Sequence, residues 1–119
     1  MPLDDATIAH LARTRTVDLA TTGRTSGKAR AVEIWWFHFE GRFIVTGTPG
    51  RRDWLANVSA DPQVAIRTRF GEFPGTALLI DDPDFRHRFF TDPATRWYAS
   101  QEELRNLVET APMIAIDLD

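Results

Sequence analysis

The chain has 119 residues, of which 43% are hydrophobic and 26% charged, and its net charge is −3. This composition is typical of one soluble globular domain covering residues 1–119, and the acidic balance disfavours nucleic acid as a partner. The absence of cysteine excludes disulfides, thiolate catalysis and cysteine-based metal sites. No segment is long and apolar enough to span a membrane, and acidic rather than basic residues follow Met1. We therefore expect a cytoplasmic protein without a secretory signal.

The predicted elements follow from hydrophobic periodicity and from clusters of β-branched and aromatic residues. In chain order they are a helix at 3–14, strands at 16–22, 29–39 and 42–47, a helix at 52–60, strands at 63–69 and 75–80, helices at 83–90 and 101–109, and a strand at 113–118. Residues 70–74 are predicted to form a loop. The early connections are tight turns, which favours antiparallel strands over a doubly wound fold. Six strands in so short a chain avoid exposed edges by forming a closed or nearly closed barrel with flanking helices.

The strand at 29–39 has a continuous aromatic and β-branched middle, which predicts burial on both of its faces. Trp35 and Trp36 point to opposite faces, because side chains alternate along a strand. At most one of them therefore lines a given pocket. The pair Trp97–Tyr98 lies in a weakly patterned stretch, where it could either pack in a small satellite core or cover a ligand.

The turn at 23–30, Gly-Arg-Thr-Ser-Gly-Lys-Ala-Arg, combines three cations, two hydroxyls and two glycines in eight residues. Arginine binds phosphate through paired donors and lysine as a point charge, and successive turn amides can form an anion-binding nest. The turn is therefore a candidate phosphate site. The alternative is an ordinary solvated hairpin turn. A P-loop is excluded because only three residues separate the glycines, Ala29 follows the lysine, and the next element is a strand.

A second candidate is the stretch at 47–57, a glycine-bounded loop that enters the helix at 52–60. Backbone N–H groups at a helix start favour an anion, and Arg51 and Arg52 add positive charge there. The alternative is a capped helix whose arginines face water. Trp54 is interpreted as a core residue rather than a ligand platform.

No hydrolytic or metal-binding arrangement is apparent in the sequence. His10, His38 and His87 lack the spacing of metal ligands, and no Gly-x-Ser-x-Gly motif is present. Glu33 is the only acid in a plausibly enclosed position. We identify no catalytic residue and no metal site. An enzyme without its own acid, base or nucleophile fits a mechanism in which a cofactor carries out the chemistry.

Four stretches of the chain, at 21–30, 32–35, 47–57 and 61–64, resemble the nitroreductase-like deazaflavin (F420)-dependent oxidoreductases. This family belongs to the wider pyridoxamine 5'-phosphate oxidase-like group of flavin-binding split barrels. The resemblance covers a little under half of the chain. It rests mainly on the turn of the type Thr-Gly-Arg-x-Ser-Gly-x-x-Arg, together with Trp-x-x-Asn and Asp-Pro.

The resemblance implies a mainly β protein, a six-stranded antiparallel split β-barrel with flanking helices that forms a homodimer. It also implies F420 or FMN as the cofactor, with another ligand or none as further alternatives. The implied reaction is hydride transfer from the reduced cofactor to a quinone, a nitro compound or an activated alkene. A non-catalytic carrier or sequestering protein with the same pocket is the alternative function. The implied cofactor-binding residues are Arg24, Thr25, Ser26, Lys28 and Arg30 at the phosphate, Val32, Ile34, Thr46, Gly47 and Thr48 at the ring, and Arg51 and Arg52 at the tail or ring edge.

Overall fold

Strands and helices follow the predicted order in the computed structural model, which describes residues 3–95 and 103–119. The elements are α1 (Asp5–Arg13), β1 (Thr16–Thr22), β2 (Ala29–Phe39), β3 (Arg42–Thr46), α2 (Asp53–Ala60), β4 (Gln63–Thr68), β5 (Gly71–Leu79), α3 (Pro83–Thr91), α4 (Leu104–Thr110) and β6 (Met113–Leu118). Trp97 and Tyr98 lie outside the described residues. None of the helices in the described ranges has the length and apolarity needed to cross a membrane.

All six strands form one closed antiparallel barrel in the order β1-β2-β3-β6-β5-β4. The barrel closes because β1 pairs with both β2 and β4, so that Leu19 lies opposite Val32 on one side and Ile66 on the other. In the closed barrel each of the six strands has a hydrogen-bonded neighbour on both sides. Closure is the expected way for six short strands to avoid exposed sheet edges. The predicted antiparallel barrel is therefore confirmed.

The β2–β3 hairpin is tight because its two turn residues adopt left-handed backbone angles. Glu40 has φ 51° and Gly41 has φ 76°, and Phe39 pairs directly with Arg42. A two-residue turn with positive φ at both positions matches the twist of the flanking strands, and glycine adopts it without a steric penalty. The turn predicted at Glu40–Gly41 is confirmed.

Apolar side chains form two separate cores, one inside the barrel and one outside it. Leu19, Trp36, Val45 and Ile114 belong to the inner core, whereas Ile44 packs outside with side chains of α3 and α4. Ile44 and Val45 are both fully buried although they point to opposite faces of β3. The described parts of residues 83–109 thus cover the outer face of β3 and β6.

Two details of the predicted strands are wrong. The first is the loop at 70–74, since β5 begins at Gly71 and includes Pro74. The carbonyl of Pro74 accepts from the Asp119 backbone N–H at 3.0 Å. The ring nitrogen of Pro74, which has no hydrogen to donate, therefore also faces the end of β6. Because pairing with β6 begins only at Gly75, the missing donor falls at the end of that ladder, where proline is tolerated.

The second correction concerns β2, which is not buried on both faces along its length. Residues 29–33 are exposed, and Val32 and Trp35 retain 42% and 41% of their accessible surface. The reason is that β3 pairs only with the last four residues of β2, starting at Trp36. The first half of β2 therefore extends past its neighbour. Trp36 does point inward, is buried, and donates its indole N–H to the Thr14 carbonyl at 2.9 Å.

Helix α2 connects β3 to β4 across one end of the barrel. Trp54 and Val58 of this helix join the inner core, and α2 packs mainly against β1. The helix ends at Ala60, and Asp61 is an extended cap residue, because Pro62 disfavours helical geometry in the residue before it. This connection brings one face of α2 beside the β1–β2 turn.

One arginine is buried between α3 and α4. Arg86 is only 6% exposed, and its guanidinium donates to the carbonyl oxygens of Ile80, Leu107, Val108 and Ala111. Three of these carbonyls lie at the C-terminal end of α4, where the helix lacks further backbone donors and its acceptors carry partial negative charge. The Leu107 carbonyl also accepts from the Ala111 backbone N–H at 3.1 Å. Burial lowers the pKa of Arg86, and the charge of Asp81 opposes that shift.

Candidate cofactor-binding groove

A groove of about 710 Å³ lies between the β1–β2 turn, the first half of β2 and α2. We call it the turn groove. Five predicted site residues line it: Arg24, Thr25, Ser26, Arg30 and Val32. Seven more lining residues were not among the predicted cofactor-binding residues: Thr21, Gly23, Ala29, Ala31, Asp53, Trp54 and Asn57. The structure therefore brings most of the predicted phosphate turn together with a face of α2.

The turn itself is closed by backbone hydrogen bonds. Gly23 donates to the Lys28 carbonyl, and Gly27 donates to the Gly23 carbonyl, each at 2.8 Å. A Cβ atom at Gly23 would lie 2.7 Å from Ser26 Oγ and 3.2 Å from the Lys28 carbonyl oxygen, so only glycine fits there. Gly27 has φ +71°, a conformation that other residues rarely adopt. The two glycines fix the shape of the turn, and Ser26 Oγ accepts from the Lys28 backbone N–H at 3.2 Å.

Arg24 is held by α2 rather than projecting freely into water. Asn57 Oδ1 accepts from the Arg24 backbone N–H at 3.2 Å and from its Nη1 at 2.9 Å. Asp53 Oδ1 lies 3.4 Å from the other terminal nitrogen, Nη2. Asn57 is 4% exposed and donates through Nδ2 to Thr21 Oγ1 at 3.0 Å. The guanidinium is thus oriented at the groove by a buried amide and an exposed carboxylate.

The other two cations of the turn differ from Arg24. Within residues 3–95 and 103–119, neither the Lys28 ammonium nor the Arg30 guanidinium forms an ion pair or a side-chain hydrogen bond. Arg30 lines the groove, and Lys28 lies on the same turn but not in the groove wall. Arg30, Val32 and Ile34 point to the same face of β2, because they lie opposite Thr21, Leu19 and Val17, which all face inward. Ile34 packs against the inner core and does not line the groove.

The loop at 47–52 is also outside the groove wall. Arg52 folds back over it and donates to the Thr48 carbonyl at 2.9 Å and the Arg51 carbonyl at 3.1 Å. A Cβ atom at Gly47 would lie 3.1 Å from Arg52 Nη2, so glycine makes room for the guanidinium. The Thr46 hydroxyl donates to the Pro112 carbonyl at 2.6 Å. The side chains of Thr46 and Arg52 therefore brace the loop, and Arg51 is exposed.

A larger cleft of about 820 Å³ lies on the outer face of β2 and includes Trp35, Phe37 and Phe39 in its wall. Its rim reaches Thr95, the last described residue before the gap, and no predicted site residue lines it. In the described ranges, no group of three or more histidine, aspartate or glutamate side chains could hold a metal ion.

A family model described as F420H(2)-dependent quinone reductase matches residues 4–113. The chain belongs to this reductase family. The match covers the turn groove, α2 and nearly all of the barrel, and it confirms the resemblance to deazaflavin-dependent oxidoreductases. No curated protein sequence matches this member of the family.

Solved structures share the fold of this reductase-family chain. An F420-H2 dependent reductase, FDR-A, is similar with a TM-score of 0.66 and 24% sequence identity, over 87% of this chain and 94% of that chain. A putative pyridoxamine 5'-phosphate oxidase from Listeria innocua gives a TM-score of 0.71 at 15% identity, over 97% and 92%. A protein solved as a domain-swapped dimer gives 0.67 at 21% identity, over 95% of each chain. These similarities confirm the split-barrel fold that was predicted.

Proposed function

We propose that this protein is an F420H2-dependent reductase that binds the phosphate-bearing part of its cofactor in the turn groove. The observation that carries the proposal is the charge arrangement at the β1–β2 turn. Arg24 is already oriented at the groove, and Lys28 and Arg30 have no anionic partner among the described residues. Three cations on one closed turn attract an anion, and a phosphate supplies acceptors for each of them.

The turn groove suits a phosphate-bearing deazaflavin in size and in the chemistry of its walls. Its volume of about 710 Å³ is within the range of ligand sites, roughly 300–1,000 Å³. In the described part of the chain, Asp53 is the one acid that lines the groove, and its carboxylate is 92% exposed. Ala31, Val32 and Trp54 add apolar surface beside the cations. A ligand that is charged at one end and planar and apolar at the other matches this distribution.

In this proposal the residues of the chain bind and orient, and the cofactor supplies a hydride. Arg24, Lys28 and Arg30 hold the phosphate by charge-assisted hydrogen bonds. Val32, which lines the groove on the same face of β2 as Arg30, offers apolar surface for the ring. Among the described residues of the groove wall, Asp53 is the only carboxylate and none is a histidine, so in this proposal the chain contributes positioning rather than proton transfer. The acceptor we propose is a quinone, with nitro compounds and activated alkenes as related substrates.

We also propose that the protein is a homodimer that uses the exposed part of β2. Trp35, on the outer face of β2, is 41% exposed. On the outer face, Asp18 lies opposite both Glu33 and Arg67, which gives neighbouring negative and positive charges that a two-fold contact can match. Sedimentation equilibrium should give twice the chain mass of 13.5 kDa. A single-chain mass at micromolar concentration would contradict this proposal.

The proposed cofactor site is tested by titrating the full chain with F420 and with FMN, followed by fluorescence. The variant Lys28→Ala/Arg30→Ala should fold normally and lose F420 affinity by at least about 100-fold, because two charged contacts are removed. The control Arg13→Ala/Arg105→Ala removes two exposed cations elsewhere and should bind like the wild type. Unchanged affinity of the first variant would reject the turn as the phosphate site, and tight binding of FMN alone would reject F420 as the cofactor.

A turnover assay distinguishes a reductase from a non-catalytic protein that only carries the cofactor. The wild type is mixed with F420H2 and menadione, and oxidation of the cofactor is followed by absorbance. Multiple turnovers per protein molecule support the reductase. Binding of F420 without any turnover of quinone, nitro or alkene acceptors would instead support the carrier function.

A further inference from the structure

We propose that Asn57 and Asp53, one turn apart on α2, act on Arg24 in opposite directions. Asn57 is a positioning residue that holds the guanidinium at the turn groove. Asp53 is an internal counter-ion that an incoming anion must displace from the same guanidinium. The proposal rests on the proposed function for the identity of the anion, a cofactor phosphate, but its geometry comes from α2 and Arg24 alone.

Asn57 has the contacts and burial expected of a positioning residue. Its Oδ1 accepts from both the backbone and the side chain of Arg24, and its Nδ2 donates to Thr21 Oγ1. The Arg24 nitrogens can only donate, so this amide orientation is the one that satisfies both partners. At 4% exposure the amide is screened little by water, which strengthens these bonds. Because the amide is neutral, it orients Arg24 without neutralising it.

Asp53 has the opposite character. Its carboxylate is 92% exposed, lies 3.4 Å from Arg24 Nη2, and contacts a guanidinium that is itself 43% exposed. Such a long, exposed ion pair holds its partner weakly. The carboxylate nevertheless pairs with Nη2 of Arg24, whereas Asn57 accepts from Nη1. A bound phosphate would compete for that donor and would also be repelled by the negative charge, so Asp53 lowers the affinity for anions.

The two residues lie on the same face of α2 because positions four apart in a helix are neighbours. A purely structural role would give both residues the same sign of effect, since both contacts would stabilise the turn. The proposal instead predicts opposite signs. Asn57→Ala should weaken anion binding about tenfold or more, the typical effect of losing a hydrogen bond to a charged group. Asp53→Asn should strengthen it about threefold to tenfold at low salt, and this gain should shrink at high salt.

The first experiment measures F420 affinity by fluorescence for the full chain and four variants. Val58→Ala is the control for Asn57→Ala, because it also disturbs a buried residue of α2 but not Arg24. Glu72→Gln is the control for Asp53→Asn, because it removes one negative charge from an exposed arginine pair elsewhere. Both controls should bind within twofold of the wild type. Weakening by Val58→Ala equal to that of Asn57→Ala, or no gain with Asp53→Asn, would overturn the proposal.

A second measurement remains informative if F420 does not bind. Inorganic phosphate is titrated into the ¹⁵N-labelled protein, and the side-chain Nε resonance of Arg24 is followed. The proposal expects a phosphate-dependent shift in the wild type that saturates at lower phosphate in Asp53→Asn and is lost in Asn57→Ala. Such a result without F420 binding would reject the proposed function and keep the inference. No shift of Arg24 in the wild type or in Asp53→Asn would reject the inference whatever F420 does.

Discussion

Replacing the buried Arg86 should be among the most destabilising single substitutions in the described part of the chain. Its guanidinium donates to four backbone carbonyls, three of them at the C-terminal end of α4. No carboxylate accepts from it there. The charge is stabilised by carbonyl dipoles, with a contribution from the charge of Asp81, and each of the four carbonyls accepts a hydrogen bond from Arg86. The substitution Arg86→Leu keeps the bulk and removes every donor.

The magnitude follows from two opposing effects. Hydrogen bonds from a charged donor contribute about 1.5–3 kcal/mol each, and four are lost. Against this, the variant no longer buries a positive charge, which costs several kcal/mol in the wild type. The expected net loss is about 3–5 kcal/mol. For a domain of this size that corresponds to a fall in Tm of roughly 10–20 °C, a large share of a typical total stability of about 5–15 kcal/mol.

The assay is urea unfolding followed by far-UV circular dichroism, with the wild type, Arg86→Leu and Arg86→Lys. Lysine keeps the charge but lacks the planar fork of donors, so it should recover less than half of the loss. Arg88→Gln is the control, because Arg88 is an exposed arginine of the same helix that pairs with Glu40. Its unfolding midpoint should stay close to that of the wild type. A change below about 1 kcal/mol for Arg86→Leu would show that water satisfies the four carbonyls and would refute the reasoning.

Two further predictions concern the barrel and its acid stability. Gly75→Ala would place a Cβ atom 2.6 Å from the Asp117 carbonyl oxygen across the β5–β6 ladder, so we expect a loss of about 2–3 kcal/mol in urea unfolding; an unchanged midpoint would show that the strands separate freely. The hydrogen bond from Arg88 lowers the pKa of Glu40 below its ordinary value of 4.5. The ion pair therefore stabilises the folded state fully above pH 4.5, and this contribution is lost as the pH falls through the lowered pKa of Glu40 in the folded protein. Glu40→Gln should therefore reduce the dependence of the unfolding midpoint on pH below 4.5, and an unaltered pH profile would contradict this.

The barrel could be predicted from the sequence because its strands have strong local signals. Alternation in β4, the Glu40–Gly41 turn and the proline after α2 each indicate an element without reference to the rest of the chain. The two errors, in the burial of β2 and in the start of β5, concern features that depend on contacts between distant parts of the chain. Apolar residues in the first half of β2 looked like core residues, but β3 is too short to cover that half. Pro74 looked like a loop residue, because nothing in the sequence shows where β6 ends.

Part of the proposed site could also be predicted from local signals in the sequence. The glycines and cations of the β1–β2 turn are contiguous, so their clustering is visible in the sequence. Asn57 contacts Arg24 from 33 positions away, and only the packing of α2 on β1 reveals that contact. The Trp-x-x-Asn motif and the spacing of four between Asp53 and Asn57 were the signals available. For Arg52, the sequence shows the charge that predicts an anion site but not that its donors satisfy carbonyls of its own loop, and its cofactor contact stays a prediction.

The position of β6 between β3 and β5 has a consequence for synthesis on the ribosome. β6 is the last strand along the chain, yet it supplies the inner core with Ile114 and Ile116 and pairs with strands on both sides. A nascent chain that has released β1–β5 still has two unpaired strand edges, and such edges readily pair with other chains. We expect the emerging polypeptide to need protection by a chaperone until β6 leaves the exit tunnel, when the barrel can close in one step.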